Sequence, residues 1–69
     1  MGATIRVNGE ARRLETATVI ELLRALGVDP ERRGVAVALN GAVVRRGDWP
    51  AAALSPGDEV EIVKPFAGG

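Results

Sequence analysis

Few side chains in this sequence could carry covalent chemistry. Cysteine and histidine are both absent. That removes the thiolate nucleophile, the disulfide, the commonest transition-metal ligands and the usual general base near neutral pH. The one serine, Ser55, sits in the turn sequence Ser55-Pro56-Gly57-Asp58, where proline and glycine serve to reverse the backbone. Most carboxylates alternate with basic residues, as on a solvated surface. A self-contained active site is therefore not expected. What remains is the end of the chain, where Lys64, Pro65, Phe66 and Ala67 lead to Gly68 and Gly69.

Two readings of that end stand side by side. Pro65 cannot donate to a sheet ladder, so regular pairing should stop near it. Two glycines have no side chains to pack, which predicts a mobile tail over residues 65–69 and is compatible with simple fraying. The other reading is chemical. An α-carboxylate is a poor electrophile until one oxygen becomes a leaving group, as in an acyl-adenylate. A partner enzyme doing this must enclose the terminus in a narrow, dry site with preorganised donors. A Gly68-Gly69 lead would enter a channel that any Cβ obstructs, and the preceding residues 1–64 would then serve as the handle by which a partner recognises the chain.

The elements that form such a handle can be followed by period. Thr4, Ile5, Arg6 and Val7 alternate polar and apolar, the pattern of a half-buried strand. Asn8-Gly9 then signals a type I′ hairpin turn, and a weaker return strand runs over residues 10–14 with Leu14 inward. Thr18 followed by Glu21 fits a capping box. Val19, Ile20, Leu22, Leu23 and Leu26 form one apolar stripe of a short helix that ends at Gly27. After a charged loop, residues 35–39 read as a strand with Val35, Val37 and Leu39 on one face and Ala36 and Ala38 on the other. A second Asn40-Gly41 turn leads to a short strand at residues 42–44. Residues 45–54 read as an irregular loop pinned by Trp49, and residues 59–63 alternate with Val60 and Ile62 inside. The apolar faces of sheet and helix must bury each other, giving a single two-layer α+β domain.

Composition narrows the partners. Nine basic and nine acidic side chains cancel to a net charge of zero, which argues against nucleic acid, since phosphate neutralisation needs a cationic excess. No apolar run is long enough to cross a bilayer and none follows Met1 as a leader. Arg6 stands where a myristoylation motif wants serine or threonine. A cytoplasmic protein is expected.

The ordered set of motifs resembles the sulfur carriers of thiamine (thiazole) biosynthesis, the ThiS family of the ubiquitin-like superfamily. The resemblance covers nearly the whole chain: Val7-Asn8-Gly9-Glu10, the helix start from Thr18 through Leu23, Val35 through Gly41, Val44-Arg45 with Trp49 beyond, Leu54 through Ile62, and the final Gly68-Gly69. It implies a β-grasp fold, a mixed sheet of four to five strands packed on one helix. It also implies that Gly69 is the modified residue, adenylylated by an E1-like adenylyltransferase with ATP and then converted to a thiocarboxylate. Thiazole synthase would receive the sulfur. Gly68, Ala67 and Phe66 would enter the partner's active site, and the chain would be a cosubstrate with no bound cofactor, monomeric when free.

Other residues have two readings each. Phe66 either packs back on the domain or anchors a partner. Trp49 is read as a structural plug. Arg45 and Arg46 are read as solvated surface, with one of them available to an acidic patch on the activating enzyme. Ala36 and Ala38 share a low-relief face with Thr4, Arg6, Glu59 and Glu61, either a docking surface or an ordinary open sheet face. Two further functions stay open: a molybdopterin synthase small subunit with the same chemistry, and a ubiquitin-like modifier or binding module with an inert tail.

Overall fold

The computed structural model describes residues 2–65. Five strands and one helix follow one another as β1 (Thr4–Val7), β2 (Glu10–Arg13), α1 (Val19–Ala25), β3 (Ala36–Leu39), β4 (Ala42–Val44) and β5 (Glu59–Val63), with a single 3₁₀ turn at Arg46–Asp48. The sheet order is β2-β1-β5-β3-β4. The two hairpins, β1–β2 and β3–β4, are antiparallel, and β5 inserts between them. It runs parallel to β1 and antiparallel to β3. This mixed five-stranded sheet with one helix is the expected β-grasp arrangement.

The hairpins form because each Asn-Gly pair supplies the two positive φ angles that a type I′ turn requires: Asn8 +51° and Gly9 +84°, Asn40 +51° and Gly41 +84°. Both asparagines do more than turn the chain. The Asn8 side chain accepts from Ile62 N–H at 2.8 Å and donates to Ile62 C=O at 3.2 Å. The Asn40 side chain accepts from Glu59 N–H at 2.9 Å and donates to Asp58 Oδ1 at 3.0 Å. Each turn is thus fastened to the last strand. Asn8→Ala should cost about 2–3 kcal/mol, because it strains a left-handed backbone and leaves Ile62 amide groups unpaired. Asn8→Gly, which keeps the backbone freedom, should cost roughly half of that. Urea denaturation of the two variants checks the order; equal losses would show that the amide, not the backbone angle, carries the whole effect.

The helix starts as the Thr18–Glu21 spacing predicts, with one difference. Thr18 Oγ1 accepts from Glu21 N–H at 3.4 Å, while the Glu21 carboxylate accepts from Ala17 N–H at 3.0 Å rather than from Thr18 itself. Two more of the amides left free at a helix start are taken by the irregular loop. Val19 N–H donates to Ala52 C=O at 2.9 Å and Ile20 N–H to Trp49 C=O at 3.2 Å. At the other end Gly27, φ +77°, forms a Schellman cap: its N–H donates to Arg24 C=O and Val28 N–H donates to Leu23 C=O.

Val19, Leu22 and Leu23 of α1 pack against Ile5, Val7, Val37, Val60 and Ile62 of the sheet, all buried. Leu14, Leu26 and Leu39 border this core half-buried. Trp49 closes it, 1% exposed, with its indole Nε1 donating to Val44 C=O at 2.9 Å. The plug expected from sequence is present. Among the described residues no polar side-chain atom is buried without a partner.

Candidate functional site

The last strand decides where the end of the chain leaves the domain. Val60 and Ile62 face the helix, so β5 is held from within, and its edges are bonded on both sides by β1 and β3. The chain therefore emerges from the middle of the sheet, through Val63, Lys64 and Pro65. Pro65 is half-buried. The ring of Pro65 lies against Gly34, where a Cβ would come within 3.1 Å of Pro65 Cβ. Phe66, Ala67, Gly68 and Gly69, the residues expected to carry or approach the chemistry, lie outside the described residues.

The open face of the sheet carries the second group of expected site residues. Ala36 and Ala38 both lie on it, as the period of β3 predicts. Register adds what sequence periodicity had not assigned. Ala38 has Val43 of β4 on one side and Glu61 of β5 on the other, and Ala36 stands beside Val63. The two alanines form the floor of a shallow depression of about 140 Å³, bordered by Val43, Val63 and Glu61. Val43 is 80% exposed and Val63 61%, so two large apolar side chains stand clear of the surface at its rim. Both were findable. A two-residue turn at Asn40-Gly41 sets Val43 across from Ala38, and Val63 follows Glu61 with the period of a strand.

Thr4, Arg6, Glu59 and Glu61 share this face, with Arg6 and Glu59 paired in register. The face is thus apolar toward β3 and β4 and charged toward β1. That combination suits a partner surface with an apolar patch bordered by charge.

Arg46, expected on a solvated surface, has a structural task. Its guanidinium donates to Pro30 C=O and, at 2.7 Å, to Arg32 C=O. It also lies over the Trp49 ring, 4.7 Å from the centroid. One side chain therefore ties the loop after the helix to the aromatic plug. Arg45 is exposed.

Among the described residues no group of acidic side chains is placed to hold a metal ion, and no helix is long and apolar enough to cross a membrane. Two clefts flank Lys64. One runs between Val7, Leu26, Val28 and Ile62, the other between Leu26, Val28, Val35 and Pro65. Both are small and open, and neither holds a group with acid, base or nucleophile character beyond ordinary surface charge.

Comparison with known proteins places this geometry. The ThiS family model matches residues 5–69. A sulfur carrier protein ThiS from Thermus thermophilus is 43% identical over 63 residues, covering 91% of this chain and 95% of that protein. A thiazole synthase from Magnetococcus marinus is 44% identical over 66 residues, 94% of this chain; the chain spans only 20% of that protein's length. The crystal structure of a thiamine biosynthesis protein, ThiS, from Geobacter metallireducens superposes with a TM-score of 0.76 at 36% identity, over 96% of this chain and 99% of that one. A solution structure of a thiamine biosynthesis protein from the same organism agrees, with a TM-score of 0.76. With the family model matched from the first strand to Gly69, and a full-length sulfur carrier matched beside it, the chain belongs to the ThiS family.

Proposed function

We propose that this chain is a sulfur carrier of thiamine biosynthesis and that the group it carries is built on the carboxyl of Gly69. The observation that supports this most is the match to a sulfur carrier protein along nearly the whole of both chains, with the family model matched through Gly68-Gly69. The chain acts as a protein cosubstrate and not as a catalyst. It has no cysteine or histidine, and its one serine lies in a turn, so the chemistry is assigned to partner enzymes.

The steps follow from carboxyl chemistry. An E1-like adenylyltransferase binds ATP, and a Gly69 carboxylate oxygen attacks the α-phosphorus with loss of pyrophosphate. A sulfide-level nucleophile (HS⁻ or its equivalent) then attacks the acyl carbon, AMP leaves with the bonding electrons, and the resulting thiocarboxylate delivers its sulfur to thiazole synthase. ATP is the activating enzyme's substrate, and this chain holds no cofactor. The likeness between this chain and a segment of a protein named thiazole synthase favours the thiazole branch over molybdopterin synthesis. The carrier works in the cytoplasm and as a monomer when free. Phe66, Ala67 and Gly68 follow Gly69 into the partner's channel.

The face around Ala36 and Ala38 is the surface by which the partners hold the domain. Val43→Asp, at a position 80% exposed, should leave the melting temperature unchanged and raise the KM for the carrier about tenfold, the size of a lost interface anchor. Ala36→Asp should do the same. Steady-state activation kinetics with varied carrier concentration check this; an unchanged KM in both variants would remove this face from the interface.

The reading as a whole is tested by intact-mass spectrometry after incubation with ATP, a sulfur source and the E1-like enzyme. The expected result is a mass gain equal to one oxygen replaced by sulfur, confined to the C-terminal peptide. An unmodified terminus, with an enzyme active on its own carrier, would leave a ubiquitin-like binding module instead.

A further inference from the structure

The antiparallel register of β3 and β5 pairs Ala36 with Val63. Continued outward by two residues, it sets Gly34 opposite Pro65. Proline ends the hydrogen-bonded ladder there, but the contact persists as packing: a Cβ on Gly34 would lie 3.1 Å from Pro65 Cβ and 3.6 Å from its Cγ. Gly34 also has φ +87°, a conformation that side-chain-bearing residues rarely adopt. A side chain at this position would be strained by its backbone angle and would have to push Pro65 aside slightly.

The loop that carries Gly34 is itself held. Arg46 binds the carbonyls of Pro30 and Arg32 and lies on the buried Trp49 ring. Asp29 Oδ1 accepts from Glu31 N–H at 2.9 Å, and Asp29 C=O accepts from Arg32 N–H at 3.1 Å. A line of contacts thus runs from the core, through Arg46, to the spot on which Pro65 rests.

We propose that the Gly34–Pro65 contact is a seat that fixes the point and direction from which the C-terminal tail leaves the domain, making Gly34 and Pro65 positioning residues for presentation of the terminal glycine. The proposal rests on the carrier reading above. Four residues follow Pro65, a span of at most about 14 Å. On so short a tether, a displaced root narrows the range of positions from which the carboxyl can reach the reacting centre, and misplacement by about 1 Å can cost up to a hundredfold in rate. The proposed docking face begins at the neighbouring register pair, Ala36 and Val63, and kinetics tells the two apart: a damaged seat lowers kcat, whereas a damaged face raises KM.

Pro65→Gly, which removes both the ring and its fixed φ, should lower kcat for adenylylation about tenfold while KM stays within about twofold of wild type. Pro65→Ala keeps the Cβ that meets Gly34 and should retain most of the rate. Gly34→Ala, which forces the pair apart, should match Pro65→Gly. Thermal melting of each variant separates a loss of fold from a loss of presentation, and Pro65→Gly keeps the test sound if Gly34→Ala unfolds. A direct readout needs no enzyme: nuclear Overhauser effects between Gly34 Hα and the Pro65 ring protons are expected in the free protein. Their absence would overturn the seat, as would wild-type kcat in Pro65→Gly or a loss expressed entirely in KM. Failure of the carrier reading looks different, because wild-type protein would then show the contact and no adenylylation at all.

Discussion

Deleting Gly69 is expected to abolish adenylylation and thiocarboxylate formation while leaving the melting curve of the protein unchanged. The chemical half of this expectation is a matter of reach. A chain ending at Gly68 brings its carboxylate about 3.5 Å short of the position that the full chain occupies. A loss well beyond a hundredfold is expected where rate depends on sub-ångström placement in a preorganised site. The stability half follows from where the core lies: the buried residues of the described chain run from Ile5 to Ile62, and the last residue of a chain generally contributes little. Gly69→Ala should give an intermediate result, since it keeps the reach and adds a Cβ where the channel is narrow. Tandem mass spectrometry of the activated protein locates the sulfur. A thiocarboxylate on the shortened chain, or sulfur on a side-chain carboxyl such as Glu61, would overturn the assignment of Gly69.

The largest effect on folding is expected from Trp49→Ala. The ring is 1% exposed, and removing a buried aromatic of this size costs about 4 kcal/mol. A domain this small has roughly 5 kcal/mol of stability in total, so the variant should be close to unfolded at room temperature. The local connections raise the cost. The indole holds Val44 C=O, the backbone of Trp49 caps the helix through Ile20 N–H, and Arg46 uses the ring as a support while it binds the loop at Pro30 and Arg32. Trp49→Phe keeps most of the buried area and loses the Nε1 bond, so a cost of about 2 kcal/mol is expected. Denaturant titration followed by far-UV circular dichroism measures both. A cooperative transition within about 1 kcal/mol of wild type for the alanine variant would show that the ring is not the keystone of the loop.

These two experiments address separate ends of the molecule, and the seat at Gly34 and Pro65 joins them. Core, plug, Arg46, loop and exit point form one mechanical sequence in the structure. Weakening the plug should therefore loosen the loop beneath the root of the tail, through Arg46, and also β4 beside Val43, through the lost bond to Val44 C=O.

Local chemistry determined much of this protein by sequence alone. Both Asn-Gly turns, the Thr18–Glu21 helix start, the Gly27 stop and the period-2 faces of β1, β3 and β5 depend on residues within a few positions of one another, so their signals could be read directly. The same period placed Ala36 and Ala38 on the open face, and the absence of histidine and cysteine already directed attention to the end of the chain. What sequence could not decide were pairings between distant residues. The parallel β1–β5 contact pairs Arg6 with Glu59 and Val7 with Val60, the clamp of Asn8 on Ile62 joins positions 54 apart, and no local pattern records which strand will lie beside which. Arg46 read as surface because a single arginine in a loop gives no sign of the two carbonyls it will meet. Gly34 belongs to the charged loop before β3 and gives no local sign of its role, since its partner Pro65 is brought opposite only when β5 enters the centre of the sheet. Tertiary structure decided these because burying the helix stripe against the alternating strands leaves β5 the central place, and every long-range contact near the exit of the chain follows from that position.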